Sequence, residues 1–193
     1  MDRKPVSVKS YANIAIVKYW GKADAERMIP STSSISLTLE NMYTETKLSF
    51  LPDDATGDVM YIDDELQGEK ETIKASKVLD LFRTNPNQHV KIETWNNMPT
   101  AAGLSSSSSG LSALVKAANE LFQVGKTQSE LAQIAKFASG SSSRSFFGPL
   151  AAWDKDSGEV YQVETGLKLA MIMLVLTDQK KPVSSRDGMK LCT

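Results

Sequence analysis

Apolar and polar residues alternate with a period of two in several stretches of the first fifty residues. Val6 and Val8 alternate with polar neighbours, and residues 35–39 read ISLTL. The run 44–50 is rich in residues that favour strands, and a further apolar run spans residues 14–17. Because successive side chains of a strand point to opposite faces of a sheet, this pattern predicts paired β-strands with a buried face.

Three later stretches carry apolar residues at the spacing of three and four that an amphipathic helix requires. The first has its apolar face at Ala75, Val78, Leu79 and Phe82. The second has it at Leu111, Leu114, Val115, Ala118 and Phe122. The third carries Leu131, Ile134, Ala135 and Ala138, and it follows Thr127 and Glu130, whose spacing is typical of a capping box. The sequence therefore predicts three helices.

Four more apolar runs predict strands at residues 90–94, 150–153, 160–163 and 169–176. The last of them, LAMIMLVL, is much shorter than the ~20 residues of a membrane span, so it is interpreted as a buried strand. Strands and helices come in clusters rather than in strict alternation. The sequence therefore predicts an α+β fold with a largely antiparallel sheet and helices on one side.

The composition favours a protein that binds or converts small molecules. The chain has 193 residues and a formal net charge of −1, which gives no general attraction to nucleic acid or to an anionic membrane. Its single cysteine, Cys192, excludes an intrachain disulfide and fits the reducing cytoplasm. The single histidine, His89, is interpreted as a surface or structural residue, so histidine-based acid–base or metal chemistry is not expected. No apolar segment near residue 1 has the pattern of a signal peptide.

Residues 99–110, PTAAGLSSSSSG, form the most informative segment. They lie between a predicted strand and an amphipathic helix, and they predict a loop that leads into a helix N-terminus. The first amides of a helix have no intrahelical acceptors and lie at the positive end of the helix dipole, so this loop favours phosphate binding. A solvated serine linker is the alternative.

A second serine-rich segment, residues 139–145 (SGSSSRS), surrounds Arg144 with hydroxyl groups, and residues 183–188 (VSSRDG) do the same for Arg186. Arginine can present two parallel donors to a carboxylate or a phosphate. A flexible loop with an exposed arginine is the alternative. Tyr19 and Lys22, in the segment YWGK, add a hydroxyl and a point charge that suit phosphate. We take convergence of these segments on one polyanionic ligand as a hypothesis.

Four segments in this order resemble the diphosphomevalonate decarboxylases: NIAIVKYWGK at 13–22, PTAAGLSSSSSG at 99–110, SGSSSRS at 139–145, and SSR at 184–186. The resemblance covers essentially the whole chain. The wider group is the superfamily of homoserine, mevalonate, phosphomevalonate and galactose kinases, which share the glycine-serine loop. The first and third segments are similar to the decarboxylases rather than to the kinases.

The resemblance implies a ribosomal protein S5 domain 2-like N-terminal domain over residues 1–180, followed at 181–193 by the start of a ferredoxin-like C-terminal half. It implies a cytoplasmic lyase of isoprenoid biosynthesis that uses ATP and Mg²⁺. In that reaction the 3-hydroxyl of mevalonate 5-diphosphate is phosphorylated, and phosphate and carbon dioxide are then lost to give isopentenyl diphosphate. A homodimer is implied for the full-length enzyme.

The resemblance also assigns roles to individual residues. Lys22 and Arg144 are the expected catalytic residues. The residues expected at the substrate are Tyr19, Lys22, Ser139, Ser141, Arg144 and Ser185. The residues expected at the nucleotide are Ala102, Gly103, Leu104, Ser105, Ser106, Ser107 and Ser108. Ser107 is expected to contact the metal ion, and Asn13 to support the site.

One departure from the family pattern concerns the aspartate that accepts the hydroxyl proton. In the family it lies in an Asp-Ala-Gly-Pro-Asn segment of the C-terminal half, and this segment does not occur in the 193 residues. We therefore expect a truncated form that is inactive alone. A sister small-molecule kinase and a non-catalytic nucleotide-binding fragment are the alternative functions.

Overall fold

The computed structural model describes residues 4–19, 21–24, 26–98 and 106–172, with the side chains of Lys22 and Ser106 left out. In chain order the elements of this part are β1 (Val6–Val17), β2 (Lys22–Asp24), β3 (Ile29–Pro30), β4 (Ser34–Phe50), β5 (Val59–Ile62), β6 (Glu65–Leu66), α1 (Glu69–Leu79), β7 (Val90–Asn96), α2 (Ser106–Leu121), α3 (Gln128–Ala138), a 3-10 helix (Gly140–Phe146), β8 (Leu150–Trp153) and β9 (Val160–Gln162).

A single strand of 17 residues, β4, organises the main sheet. It pairs with β1 along one edge and with β7 and β8 along the other. The remaining strands extend the order to β6-β5-β7-β4-β8-β9, and β2 and β3 form a separate ribbon. Within the described residues, the pairing of β5 with β7 is parallel and the other pairings are antiparallel. The predicted α+β fold with a largely antiparallel sheet is confirmed.

The main core lies between the sheet and the three α-helices. Leu48 and Ile92 of the sheet pack with apolar residues of the helices, among them Leu79, Val115 and Ala135. Alternate residues of the same strands form ion pairs on the opposite face, such as Lys9 with Glu45 and Lys47 with Glu93. The helices therefore cover one face of the sheet, and charged side chains cover the other face over this part.

A smaller apolar cluster lies at the other end of β4, where Leu37 and Leu39 pack with Ala12, Met98 and Leu150. The polar residues that alternate with these leucines are not exposed. Ser34 and Ser36 are fully buried. Because the period of a strand is two, they lie on the face opposite to Leu37, and that face is turned toward the 3-10 helix.

The helices follow the predicted periodicity, but α1 ends before the predicted Phe82, α2 ends before Phe122, and α2 begins earlier than its first predicted apolar residue. The capping box of α3 is confirmed, because Thr127 and Glu130 exchange the expected hydrogen bonds. Helix α2 begins at Ser106, five residues before the first predicted apolar position, so serines occupy its first turn. Serine competes with the helical backbone in a helix interior but is favoured near the N-terminus, which explains this start.

The predicted strand at 169–176 is wrong for the residues that are described. Residues 169–172 have no regular structure, and Ile172 is 86% exposed. An apolar run is buried only where another surface covers it, and no described strand pairs with this one. Residues 173–176, the predicted domain boundary at 180 and the segment 183–188 lie outside the described residues. Among the helices of the described ranges, none has both the length and the apolar character for crossing a bilayer.

Candidate functional site

The serine-rich segment that follows α3 forms a 3-10 helix rather than a flexible loop. Asn13, which is buried on β1, donates from Nδ2 to the carbonyl oxygen of Ser141 at 3.0 Å and to Oγ of Ser145 at 2.8 Å. Within the helix, Ser143 donates to the carbonyl oxygen of Gly140 at 2.8 Å. These bonds fix the segment against the sheet. The alternative of a flexible loop with an exposed arginine is therefore wrong.

Arg144 is 2% exposed and is held by hydroxyl groups of β4. Its Nε donates to Oγ of Ser36, and its Nη1 donates to Oγ of Ser34 at 3.2 Å. The guanidinium carbon lies 5.5 Å from the ring centroid of Tyr19 and 5.9 Å from that of Trp153. Two hydroxyls and two aromatic rings thus orient the planar group.

The charge of Arg144 has no acidic partner among the described residues. Burial lowers the pKa of the guanidinium to about 10, and the neighbouring Tyr19 partly opposes this effect. The group still carries its positive charge at neutral pH. A buried charge is costly unless it is paired, so this position favours a ligand with a carboxylate or a phosphate.

Two aromatic residues line the guanidinium of Arg144. The rings of Tyr19 and Trp153 meet edge to face, with centroids 4.8 Å apart and an interplanar angle of 63°. Trp153 is fully buried at the end of β8, and its Nε1 has no hydrogen-bond partner among the described residues. Gly140 lies so close to the indole that a side chain is excluded there. The arrangement places Tyr19, predicted at the substrate, next to Arg144.

Two further predicted residues, Ser139 and Ser141, lie at the start of the 3-10 helix. Their hydroxyl groups are 3.3 Å apart, and both residues are only partly buried. Both residues therefore keep part of their surface accessible. The side chain of Lys22 and all of Ser185 lie outside the described residues, although the backbone of Lys22 is placed in β2.

The predicted nucleotide site is described only from the first turn of α2 onward. Ala102, Gly103, Leu104 and Ser105 lie outside the described residues, as does the side chain of Ser106. Ser107 is exposed, whereas Ser108 is fully buried. Of these two hydroxyls, that of Ser107 is accessible to a nucleotide or a metal ion. Ser108 can contribute only its amide, because that amide belongs to the helix N-terminus.

Side chains of α2 connect it to the neighbouring elements at two levels. Ser109 in the first turn bonds to Oγ1 of Thr44 at 2.7 Å, which joins α2 to β4. Lys116, two to three turns further on, donates to the carbonyl oxygen of Ser145 at 3.3 Å. The helix with the predicted phosphate-binding end therefore packs directly on the 3-10 helix that carries Arg144.

Sequence reasoning missed Ser34, Ser36 and Trp153, which surround Arg144. The two serines alternate with apolar residues, a pattern that predicts a strand with its polar side in solvent. Trp153 closes an apolar run that predicts an ordinary buried strand. Since all three meet Arg144 through pairing between distant parts of the chain, no local pattern marks them.

The decisive comparison is with a protein-family model. The model described as "Diphosphomevalonate decarboxylase-like N-terminal domain" matches residues 10–162. The chain belongs to this family. The match includes the 3-10 helix with Arg144, as well as Asn13 and Tyr19, so the elements described above are those of a diphosphomevalonate decarboxylase-like N-terminal domain.

Relatives and solved structures agree with the family assignment. A diphosphomevalonate decarboxylase of Saccharomyces cerevisiae is 35% identical over 96% of this chain and 52% of its own length. The structure of mevalonate pyrophosphate decarboxylase from Streptococcus pyogenes is 67% identical with a TM-score of 0.92, and the match covers 100% of this chain and 61% of that one.

A third neighbour was solved with ligands. It is described as MDDEF in complex with MVAPP, AMPPCP and magnesium. It is 36% identical with a TM-score of 0.78, and the match covers 96% of this chain and 60% of that one. The present chain spans about half the length of the curated relatives that it matches.

Proposed function

We propose that this chain forms the nucleotide- and substrate-binding part of an enzyme that decarboxylates mevalonate 5-diphosphate with ATP and Mg²⁺. The observation that carries the proposal is Arg144, a buried cation that no described carboxylate pairs with, in a 3-10 helix that packs on α2 of a diphosphomevalonate decarboxylase-like domain. The related structure with MVAPP, AMPPCP and magnesium supports the choice of substrate, nucleotide and metal ion.

Arg144 binds the carboxylate of the substrate in this proposal. Its guanidinium is held by Ser36 at Nε and by Ser34 at Nη1, so the plane of the group is fixed before the ligand arrives. Pre-organisation of this kind reduces the entropy that is lost on binding. Ser139 and Ser141 add hydroxyl donors from the same segment, and the ring of Tyr19 lies beside the guanidinium. Lys22 and Ser185 complete the proposed set of substrate contacts.

The nucleotide phosphates bind at the N-terminus of α2 and at residues 102–108. Backbone amides in the first turn of a helix are donors without intrahelical acceptors, and the helix dipole favours an anion there. The exposed hydroxyl of Ser107 is suitable as a ligand of Mg²⁺. Within the described ranges, no group of three or more acidic, histidine or cysteine side chains is arranged to hold a metal ion. This fits an ion that is held mainly through phosphate oxygens, where it neutralises phosphate charge.

The proposed reaction uses these contacts for positioning and charge neutralisation. The tertiary hydroxyl of the substrate gives its proton to the aspartate that the family carries in its C-terminal half and accepts the terminal phosphoryl group of ATP, which leaves ADP. Phosphate then departs with the electron pair of the C–O bond. The bond to the carboxylate breaks, its electron pair forms the new double bond, and carbon dioxide is released. The chain holds the carboxylate at Arg144 and the phosphates at α2, so that the two ends of the reaction stay in fixed relative positions.

The same proposal includes a cytoplasmic location and a homodimeric enzyme. The single cysteine of the sequence is consistent with a reducing compartment. Light scattering of the purified protein tests the assembly state.

Release of labelled carbon dioxide tests the proposed function directly. The substrate is mevalonate 5-diphosphate labelled at its carboxyl carbon, and the enzyme is the protein that the complete reading frame encodes. We expect release that depends on ATP and Mg²⁺. Formation of ADP without release of carbon dioxide would instead indicate a sister kinase. Binding of ATP without either product would indicate a nucleotide-binding module.

Substitution of Arg144 tests the site. We expect Arg144→Ala to lower kcat/KM on the order of a hundredfold, because it leaves the substrate carboxylate without its charged partner in a desolvated site. Arg144→Lys should recover only part of the loss, since lysine lacks the planar fork. Arg27→Lys is the matched control, because Arg27 is 79% exposed and pairs with Asp24. Wild-type turnover in Arg144→Ala would refute the placement of the carboxylate.

A further inference from the structure

Lys116 lies in the middle of α2, and its amino group is turned toward the 3-10 helix instead of the solvent. Its Nζ donates to Oγ of Ser10 at 3.2 Å and to the carbonyl oxygen of Ser145 at 3.3 Å. The same ammonium group lies 4.8 Å from the ring centroid of Phe146. Ser145 and Phe146 directly follow Arg144. One side chain of α2 therefore binds the 3-10 helix next to the buried arginine.

The surroundings of Lys116 give its charge no acidic partner. Burial lowers the pKa of its amine to about 8, and no charged group adds to this shift. The amine contacts Ser10 of β1 and Ser145 and Phe146 of the 3-10 helix. Lys116 also lines a cavity of about 630 Å³ together with Val8 of β1 and Leu131 of α3. Glu120 also lines this cavity, one turn along α2, but it forms no ion pair with Lys116. The hydrogen bonds and the aromatic contact are thus what hold the amine in place.

A row of hydroxyl groups extends this contact to the first turn of α2. Ser112 bonds to Oγ of Ser10 at 2.7 Å and donates back to the carbonyl oxygens of Ser108 and Ser109, at 2.9 and 3.0 Å. Ser10 also bonds to the carbonyl oxygen of Ser145 at 3.4 Å. Polar contacts therefore run without a break from the proposed phosphate-binding turn to the residue after Arg144. Lys116 and Ser112 are the residues of α2 that contribute side chains to this row.

We propose that Lys116 is a positioning residue that fixes the 3-10 helix, and with it Arg144, relative to the N-terminal end of α2. The proposal rests on the proposed function for what the two ends bind. A charged donor makes stronger hydrogen bonds than a neutral one, and only the ammonium form interacts electrostatically with the face of Phe146. The contact is therefore strongest while Lys116 carries its proton.

Amide hydrogen exchange of the full 193-residue chain without ligand tests the contact itself. Lys116→Met keeps the apolar stem and removes the donors, whereas Lys116→Arg keeps charge and donors. We expect exchange in residues 140–146 to be roughly tenfold faster in Lys116→Met and close to wild type in Lys116→Arg. Lys77→Met, on the exposed side of α1, is the control and should change nothing in this segment.

Unchanged exchange in Lys116→Met would overturn the proposal. Faster exchange of the whole chain to the same degree would also overturn it, because Lys116 would then serve only overall stability. An equal loss of exchange protection in Lys116→Met and Lys116→Arg would show that the shape of lysine matters and not its donated hydrogen bonds. This result would also overturn the proposal.

Titration calorimetry with mevalonate 5-diphosphate tests the effect on the ligand. We expect Lys116→Met to weaken binding about tenfold, and wild-type binding to weaken as the pH rises through about 8. The variant should lack this alkaline limb. Equal affinity and equal pH dependence in the two proteins would overturn the proposal. Failure of the wild-type chain to bind the probe would count against the proposed function, while the exchange experiment would still decide the role of Lys116.

Discussion

Gly140 shows how closely the candidate site is packed at the level of single residues. A Cβ atom at this position would lie 2.9 Å from Cη2 and Cζ3 of Trp153 and 3.1 Å from Oη of Tyr19. Such distances are shorter than van der Waals contact, and the indole is fully buried, so it cannot move aside freely. Glycine is therefore needed here for the aromatic side chains that line Arg144.

We expect Gly140→Ala to lower the free energy of unfolding by about 1–3 kcal/mol, because the added methyl group overpacks the contact with Trp153. It should also weaken substrate binding, since the displaced indole no longer orients Arg144. Chemical denaturation measures the first effect and calorimetry the second. Gly57→Ala is the control, because nothing lies within 4 Å of the added Cβ. Equal stability of Gly140→Ala and the wild type would contradict the packing argument.

At this scale the sequence could group candidate residues that are neighbours in the chain, whereas their roles at a ligand stay predictions. Arg144, Ser139 and Ser141 stand together in seven residues, and the structure brings them together with Tyr19. Prediction failed for Ser34 and Ser36, because burial of a serine in a strand depends on what packs over the sheet. Lys116 was missed for the same reason. The sequence of an amphipathic helix does not show whether a lysine such as Lys116 turns toward the protein interior or toward the solvent.

At the scale of elements, α3 is the best example of a helix end that the sequence specifies. The backbone nitrogen and Oγ1 of Thr127 donate to Oε2 of Glu130 at 2.8 and 2.7 Å, and the backbone nitrogen of Glu130 donates back to Oγ1. The hydrogen bonds from Thr127 also hold the pKa of Glu130 below its ordinary value. This cap fixes where α3 starts and thus the position of the 3-10 helix at its other end.

We expect Thr127→Ala to lower the free energy of unfolding by about 1 kcal/mol, because the first turn of α3 loses its side-chain acceptor. Thermal and urea denaturation at neutral pH measure the change. Thr56→Ala, in an exposed loop, should stay within experimental error of the wild type. If the cap contributes nothing to stability, Thr127→Ala and Thr56→Ala will have the same free energy of unfolding.

The elements also show where periodicity is insufficient. The apolar run at 169–176 predicts a strand, yet residues 169–172 are irregular and exposed in the structure. Periodicity reports the character of a segment, whereas pairing depends on a partner edge elsewhere in the chain. The 3-10 helix was missed for a related reason, because the bonds from Asn13 that stabilise it come from more than 120 residues away.

For the whole molecule, a buried acid connects three elements far from the candidate site. Asp58 accepts hydrogen bonds from Arg83 and Ser76, both at 2.6 Å, and from the backbone nitrogen of Val90 at 2.9 Å. Nδ1 of His89 lies 3.7 Å from the same carboxylate. These contacts tie the start of β5, helix α1 and strand β7 together. His89 is thus part of a structural cluster, in line with its sequence-based interpretation.

Stability should fall in acid because of this cluster. Burial raises the pKa of Asp58, but the bonds from Arg83, Ser76 and Val90 outweigh it and hold the pKa below its ordinary value. A carboxyl with a lower pKa in the folded state stabilises the fold above its unfolded pKa of about 4, and this contribution is lost as the pH falls through the folded value.

We expect Asp58→Asn to cost about 2 kcal/mol at pH 7, since it leaves the buried Arg83 with only the largely exposed Asp80 as an acidic partner, and to flatten the acid limb of the stability curve. Urea denaturation from pH 7 down to pH 3 measures both effects. Asp53→Asn, at an exposed position, is the control. If the free energy of unfolding falls equally steeply with decreasing pH in Asp58→Asn and in the wild type, the pH dependence arises from other carboxyl groups.

The length of β4 fixes the separation between Arg144 and the first turn of α2. Ser34 and Ser36 hold Arg144 near one end of this strand, and Thr44 anchors the first turn of α2 through Ser109. The eight residue-to-residue steps from Ser36 to Thr44 span at most about 26 Å. Loss or gain of one residue between them would turn one anchor to the wrong side of the sheet. Insertions in the surrounding loops leave this interval intact, whereas a change of length within it would alter the distance between the two proposed ligand positions.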